Sequence, residues 1–153
     1  MSKPKYLKDL KDISGKKVIV RLDFNVPIKN GEVADDYRIK KSLQTLNFLR
    51  GEQAKIIIIS HIENEPHTLL PVYNYVKNNL SLPIEFCQDC IEKGKESIEK
   101  LEAGEILLCE NVRLYDGEKK NDKEFGRKLA SLGEVYVNDA FSASHRKHAS
   151  IVG

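Results

Sequence analysis

Four consecutive isoleucines at residues 56–59 constrain the fold of this 153-residue chain more than any other feature. A second uninterrupted apolar run occupies residues 106–108. A strand that is apolar on both faces has to be covered on both faces, which is typical of a parallel sheet packed between helices. Three further runs, rich in β-branched or aromatic residues and also predicted as strands, lie at residues 18–20, 84–86 and 135–137.

Amphipathic helical patterns separate the predicted strands. They cover residues 38–50, 69–80, 91–101 and 121–133. Gly94 interrupts the third pattern, whereas the fourth opens with a capping-box-like sequence at residues 121–124 and closes at Gly133. Strands that alternate with helices predict an α/β domain of three layers (α/β/α), with a mainly parallel, Rossmann-like sheet between two layers of helices. One such domain over residues 1–153 fits the length of the chain.

The charge balance gives the chain no general preference for a polyanionic partner. The 25 Lys and Arg residues against 23 Asp and Glu residues leave a formal net charge of +2. We therefore expect neither nucleic-acid nor membrane binding, and any cationic site has to be local. No apolar run approaches the ~20 residues that cross a bilayer, and residues 1–5 do not resemble a secretory signal, so we expect a cytoplasmic protein.

The three cysteines, Cys87, Cys90 and Cys109, are predicted to be buried free thiols. An odd number of cysteines in a chain of this size suits a reducing compartment. Cys87 and Cys90 have the CxxC spacing of zinc and redox sites, but no second CxxC or HxxxH pair completes a zinc site. The flanking Trp or Pro of a thioredoxin-like site is also missing, so functional use of this pair is the less favoured alternative.

Polar and charged residues follow the predicted strands. In a parallel α/β sheet the carboxyl ends of the strands meet at one edge, where ligands bind. The segments at these ends are residues 21–27, 60–61, 110–113 and 138–148, and Arg38 opens the first helix. Their arginines and histidines suit a small ligand with phosphate and carboxylate groups, because guanidinium groups bind both oxyanions through paired hydrogen bonds. The alternative is that each cation is a solvated loop charge.

Several of these segments resemble signatures of the phosphoglycerate kinase family. Residues 21–27 (RLDFNVP) look like the family's RxDxNVP string, and residues 110–113 match its ENVR. Further similar segments, in the same order, are DDYRI at 35–39, SH at 60–61, VNDAF at 137–141 and HRKHAS at 145–150. The resemblance covers nearly the whole chain. It implies the N-terminal, substrate-binding domain of a glycolytic enzyme that transfers phosphoryl between ATP or ADP and 3-phosphoglycerate or 1,3-bisphosphoglycerate.

The resemblance implies seven site residues, which are Asp23, Phe24, Asn25, Arg38, His61, Arg113 and Arg146. The first three would line the glycerate end of 3-phosphoglycerate, and the last three would hold the substrate. Arg38 would face the transferring phosphoryl group as the catalytic residue, because cations neutralise charge on the transferring oxygens. No residue is assigned to a metal, since in this family magnesium accompanies ATP or ADP.

The sequence departs from the family pattern after His61. The family usually has Gly-Arg-Pro there, with an arginine that contacts substrate, whereas this chain has IENEP at residues 62–66. Exchanging a cation for two anions predicts weaker substrate binding, by roughly 1.5 to 3 kcal/mol for one lost charge-assisted contact. The alternative is that Glu63 and Glu65 point into water and that Lys147 compensates.

The family continues past the segment that this chain matches, into the rest of the first domain and a nucleotide-binding domain. The chain stops at Gly153 and contains neither a GxxxxGK[ST] loop nor a GxGxxG after a strand. We therefore expect an incomplete domain that binds 3-phosphoglycerate weakly, holds no Mg-ATP or Mg-ADP tightly and is inactive alone. A shortened expression product, a split gene and a degenerate copy are all open. The alternative functions are a stand-alone binding module for small phosphorylated acids and a subunit that works with a separate chain carrying the nucleotide site.

Overall fold

A computed structural model of the chain describes residues 7, 10–115, 120 and 122–139. The strands are β1 (Lys17–Arg21), β2 (Ile28–Lys29), β3 (Glu32–Val33), β4 (Lys55–Ile59), β5 (Ile84–Cys87), β6 (Ile106–Cys109) and β7 (Val135–Asn138). Five of them form one parallel sheet in the order β5-β6-β4-β1-β7, and β2 pairs with β3 in a separate antiparallel hairpin. The five strands of the sheet are the five that the apolar runs predict.

The strand β4 lies at the centre of the sheet, between β6 and β1. Ile57 is in register with Ile19 on one side and with Leu107 on the other. All four isoleucines of β4 are fully buried. Successive side chains of a strand point to opposite faces, so an uninterrupted apolar strand supplies two cores at once.

Helices cover both faces of the sheet. They are α1 (Tyr37–Lys41), α2 (Leu43–Gly51), α3 (Leu70–Asn79), α4 (Cys90–Glu99) and α5 (Lys123–Ala130), with a short 3-10 helix at Val112–Leu114. Apolar residues of α2 and α3 share one core with Ile56 and Ile58, whereas those of α4 and α5 share the other with Ile57 and Ile59. The predicted three-layer α/β/α architecture is confirmed. Within the described ranges, no helix has the length and apolar character needed to span a membrane.

The first predicted helix, residues 38–50, is divided at Ser42 into α1 and α2. The Ser42 hydroxyl donates to the Ile39 carbonyl at 2.6 Å, and the Ser42 amide is shared between the Arg38 and Ile39 carbonyls. A serine side chain that bonds back to the preceding turn competes with the regular helical ladder and bends it. The apolar stripe extends across both pieces, and for that reason the break leaves no trace in the pattern.

Two details of the later helices differ from the prediction. Gly94 does not interrupt the third helix, because α4 runs through it and buries it against Cys90. Asp122 caps α5, and its side chain accepts a hydrogen bond from the Glu124 amide at 2.8 Å. Asn121, the predicted first residue of this cap, lies outside the described residues.

The hairpin of β2 and β3 was not among the predicted elements. Its turn residues Asn30 and Gly31 have φ angles of 53° and 77°. Two successive positive φ angles make the tight turn whose twist matches a hairpin, and Asn-Gly is the pair that adopts it most readily. The Asn30–Gly31 dipeptide was therefore a signal that could have located this hairpin.

The cysteines do not remain three free thiols. Cys90, the first residue of α4, forms a disulfide with Cys109, the last residue of β6, while Cys87 is free and buried. The Cα atoms of the bonded pair are 5.7 Å apart, within the usual range for a disulfide. The prediction was wrong for two of the three cysteines, because the sheet brings together positions that are 19 residues apart in sequence.

Candidate functional site

All five strands of the sheet are parallel and end at one edge, which we call the carboxyl edge. Asp23, Phe24 and Asn25 follow β1, His61 follows β4, and Arg113 follows β6. Arg38 reaches the same edge from α1, where it contacts Asp23 and Asn25. The topology thus assembles six of the seven predicted site residues from four separate segments. Their placement agrees with the prediction, and their roles stay predictions.

Ser60 fixes the loop after β1. Its side chain is fully buried, donates to the Leu22 carbonyl at 2.7 Å and accepts from the Phe24 amide at 3.0 Å. These two bonds tie the loop after β1 to the end of β4. They also turn the Phe24 side chain into the core, where it is completely buried. Any contact of Phe24 with a ligand would therefore come from its backbone.

Asp23, Asn25 and Arg38 form a connected group. The Asp23 carboxylate accepts from the Asn25 amide at 3.1 Å, which is the short-range turn that Asp side chains favour. Arg38 donates through Nη1 to the Asn25 carbonyl at 2.7 Å and to the Asp23 carboxylate at 3.3 Å. The Arg38 side chain is 46% exposed, so the same guanidinium is still accessible to a ligand.

Arg113 is the most buried of the described candidate arginines. Its side chain is 11% exposed, and Nη1 donates to the Glu63 carboxylate. The Nε and Nη2 atoms are buried without a hydrogen-bond partner among the described residues. Because a guanidinium carries five N–H donors in a planar fork, two buried unpaired nitrogens favour an oxyanion acceptor at this position.

The loop of residues 62–67, called the Glu63 loop below, is held by Asn111. The Asn111 side chain is buried and donates to the carbonyls of Ile62 and His67 at 2.8 and 3.0 Å. Its oxygen accepts from the Ile62 amide at 3.2 Å and from the Arg113 amide at 3.1 Å. One side chain therefore positions both the Glu63 loop and the backbone of Arg113.

Two organising residues of this edge, Asn111 and Ser60, had no assigned role in the sequence prediction. A third is Glu110, whose carboxylate accepts from the Leu69 amide at 2.7 Å and from the Thr68 hydroxyl. Each of the three is a polar residue within two positions of the end of an apolar strand. That position marks them as residues of the carboxyl edge, but it does not distinguish a ligand-binding side chain from one that holds a loop.

His61 is 4% exposed, and its Nδ1 has no hydrogen-bond partner among the described residues. Burial is the largest cause that lowers the pKa of His61 to about 4, and the charges of Arg113 and Arg21 lower it further. Asp23 and Glu63 oppose this shift. At neutral pH the imidazole is therefore uncharged and can offer a hydrogen bond but no positive charge.

Arg21, the last residue of β1, is completely buried at the carboxyl edge. Its charge acts on His61, so it lies close enough to contribute to the positive potential of the site. Its place at the end of a predicted strand indicated this edge but no role. A cation at the end of a buried strand is the signal that could have singled it out, because arginine is rarely buried completely.

Two cavities open at the carboxyl edge. One, of about 420 Å³, is lined by Asp23, Arg38, Thr45, Asp139 and neighbouring residues. The other, of about 320 Å³, is lined by Glu63, Asn111, Arg113 and residues beside them. Asn25 connects the two, because its carbonyl accepts from Arg38 and its side-chain oxygen accepts from the Glu63 amide at 2.9 Å. Arg38 and Arg113 therefore belong to adjacent cavities rather than to one.

The remaining predicted residues are only partly within the described structure. Arg146 and Lys147 lie outside the described residues. The Glu63 side chain is half exposed, but its carboxylate pairs with Arg113, whereas Glu65 is exposed. The alternative in which both glutamates face only water therefore does not hold for Glu63.

Sequence comparison relates the chain to one family. The family model described as phosphoglycerate kinase matches residues 7–153. The phosphoglycerate kinase of Borrelia garinii is 43% identical over 97% of the chain, and that of a Wolbachia strain from Drosophila simulans is 47% identical over 92%. The matched regions are 40% and 37% of those proteins, so the chain spans about two fifths of their length.

Solved structures give the same relationship. The phosphoglycerate kinase of Coxiella burnetii aligns with a TM-score of 0.80 and 32% identity over 94% of the chain and 37% of its own chain. The phosphoglycerate kinase of Pyrococcus horikoshii aligns with a TM-score of 0.86 and 30% identity over 96% and 39%, respectively. The match over nearly the whole chain, together with the parallel sheet and the arrangement of its carboxyl edge, shows that the chain belongs to the phosphoglycerate kinase family.

Proposed function

We propose that this chain is the part of a glycolytic, cytoplasmic phosphoglycerate kinase that binds 3-phosphoglycerate, and that it does not transfer phosphoryl groups by itself. The observation that carries the proposal is the guanidinium of Arg113, which is largely buried at the carboxyl edge with Nε and Nη2 unpaired among the described residues. His61, with an unpaired Nδ1, lies close enough to feel its charge. A small anionic ligand would supply the missing acceptors.

The chemistry of the proposed reaction suits these residue types. A carboxylate that attacks a phosphoryl group is an encounter between anions, so catalysis depends on orientation and on cations near the transferring oxygens. Arg38 is half exposed beside Asp23 and is assigned to the transferring phosphoryl group. The remaining contacts to substrate are assigned to Asp23, Asn25, His61 and Arg113, to the Phe24 backbone and to Arg146, which lies outside the described residues.

The nucleotide side of the reaction is not assigned to this chain. Its sequence has no GxxxxGK[ST] loop. In the part that the structure describes, no group of three or more His, Cys, Asp or Glu side chains is placed to hold a metal ion. Mg-ATP or Mg-ADP would accordingly be bound by a further domain or by a separate chain. That element would have to face the carboxyl edge, because Arg38 and Arg113 are presented there.

The test is a titration of the ¹⁵N-labelled chain with 3-phosphoglycerate, followed by amide and arginine Nε resonances at low and physiological salt. We expect shifts around Arg38, His61 and Arg113, a dissociation constant in the millimolar range, and weaker binding as salt screens the charges. Arg38→Ala should weaken binding. Lys95→Ala, which removes an exposed cation of α4, should leave it unchanged.

A coupled assay with Mg-ATP and 3-phosphoglycerate tests the second half of the proposal. The chain alone should show no turnover. Shifts that map away from the carboxyl edge, or an Arg38→Ala variant that is folded and binds as the parent does, would overturn the site. ATP-dependent turnover by the purified chain would overturn the proposed need for a second element.

A further inference from the structure

Glu63 occupies the position at Arg113 that an anionic ligand would use. Its carboxylate accepts from Nη1 of Arg113, and the pair bridges 50 residues of sequence. A carboxylate is the same acceptor that a small organic acid would present to a guanidinium. The free site thus already contains a tethered anion, and one donor of Arg113 is engaged before any ligand arrives.

The backbone of Glu63 is held independently of its ion pair with Arg113. Its backbone is fixed, because the Glu63 amide donates to Asn25 at 2.9 Å and the adjacent Ile62 is bonded to Asn111. The side chain itself is 52% exposed, in contrast to the 11% exposure of Arg113. A rotation of the side chain toward solvent would release Nη1 and leave the Glu63 loop in place.

We propose that Glu63 is an internal competitor of the substrate and a specificity-determining residue of this site. The inference rests on the proposed function, since it concerns the anion that Arg113 binds there. Competition from a tethered carboxylate lowers the affinity of every ligand that needs Nη1 of Arg113 by the same factor. The displaced carboxylate stays nearby, and its repulsion grows with the charge of the ligand.

Competition and repulsion by the Glu63 carboxylate together discriminate among small acids by their charge. At neutral pH 3-phosphoglycerate carries the charge of its phosphate group, about −1.5 to −2, in addition to the carboxylate that glycerate also has, so it meets both the competition and a larger repulsion from Glu63. A singly charged acid meets the competition and little repulsion. Removing the Glu63 charge should therefore strengthen the binding of 3-phosphoglycerate more than the binding of glycerate.

The test compares the parent chain, Glu63→Gln and the matched control Glu65→Gln, each titrated with 3-phosphoglycerate and with glycerate. Glu65 is exposed two residues away and has no hydrogen bond or ion pair to a described residue. Glu63→Gln should bind 3-phosphoglycerate about tenfold more tightly and glycerate more tightly by a smaller factor. Glu65→Gln should change either affinity by less than about twofold, as expected for a screened charge.

A second readout needs no ligand. In the free protein, Glu63→Gln should move the Arg113 Nε–H resonance and speed its exchange with water, whereas Glu65→Gln should not. If 3-phosphoglycerate binds all three proteins equally, Glu63 is no competitor and the inference is overturned while the proposed function stands. If none of the three binds at the carboxyl edge, the proposed function is overturned and the inference with it, whatever the free-protein spectra show about the ion pair.

Discussion

Asn111 and Ile62 are joined by two hydrogen bonds in opposite directions, from the Asn111 side chain to the Ile62 carbonyl and from the Ile62 amide to the Asn111 side chain. The first prediction is that Asn111→Ala lowers the free energy of unfolding by about 2–4 kcal/mol, because it leaves several backbone groups of the Glu63 loop without partners. Chemical denaturation measures this. Asn47→Ala, an exposed position on α2, is the matched control and should change stability by less than about 0.5 kcal/mol.

The same variant also tests whether the loop serves the site. If Asn111 positions Arg113, the folded fraction of Asn111→Ala should bind 3-phosphoglycerate more weakly than the parent. A variant with parental stability and parental affinity would show that neither the loop nor Arg113 depends on Asn111.

The second prediction concerns the disulfide between Cys90 and Cys109. Reduction should lower the free energy of unfolding by about 2–4 kcal/mol, since the bond closes a loop of roughly 20 residues in the unfolded chain. Denaturation with and without a dithiol reductant measures the effect. The double variant Cys90→Ser, Cys109→Ser keeps the Cys87 thiol but has no disulfide. The stability of this variant should therefore be the same with and without the reductant. Equal stability of the oxidised and reduced parent would contradict the prediction.

The third prediction is a pH dependence of stability that comes from His61. Its pKa is about 4 in the folded chain, below the ordinary value of 6.5, so between these values the unfolded chain binds more protons than the folded chain. The contribution of neutral His61 to the free energy of unfolding is therefore fully present above pH 6.5 and is lost as the pH falls toward 4. This contribution amounts to roughly 2–3 kcal/mol.

The measurement is the free energy of unfolding of the parent and of His61→Gln at pH 7 and at pH 4.5. The pKa values of Asp36 and Asp89 are lowered below the ordinary 3.8, so these carboxyls stay ionised in both states over most of this range, and the difference between the two proteins isolates the histidine. The parent should lose more stability than the variant. Parallel losses would mean that His61 is not held in its neutral form by the fold.

The fourth prediction uses Gly133, which follows α5 and packs on β1. A Cβ atom there would lie 2.7 Å from Cγ1 of Ile19 and 2.9 Å from the Lys17 carbonyl oxygen. Gly133→Ala should therefore cost about 1–3 kcal/mol of stability, the usual cost of overpacking a rigid contact. Gly51→Ala is the control, because a Cβ at Gly51 meets no atom within 4 Å. The melting temperatures of both variants measure this cost. A parental melting temperature for Gly133→Ala would show that β1 moves away from the added methyl group at no cost and would contradict the prediction.

The layer architecture could be predicted because it follows from local patterns. The continuous isoleucine run of β4 and the apolar stripes of the helices are both patterns of residues that lie close together in the sequence, so they can be recognised without knowledge of the fold. The carboxyl edge could be predicted for a related reason. Once the strands are known to be parallel, the residues that follow them have to meet, as Asn25, His61 and Arg113 do.

The rest depended on contacts that sequence spacing does not encode. Glu63 faces Arg113 across 50 residues, and Cys90 bonds to Cys109 rather than to its CxxC neighbour. The neutral state of His61 is likewise a result of burial beside two arginines, which becomes visible only after packing is known. Residue type predicted the acids and bases of this edge, and packing determined their charge and their partners.

The position of β1 inside the sheet, between β4 and β7, affects how the chain folds during synthesis. β1 pairs with β4 on one side and with β7 on the other. The edge of β1 that faces β7 therefore stays unpaired until residues 135–138 have been synthesised. At about 5–20 residues per second, a ribosome needs several seconds to supply β7 after β4 has emerged. Until then the nascent sheet carries an open edge beside an apolar strand, which is the kind of surface that pairs with other chains. Chaperone binding during translation should accordingly end when β7 has left the exit tunnel.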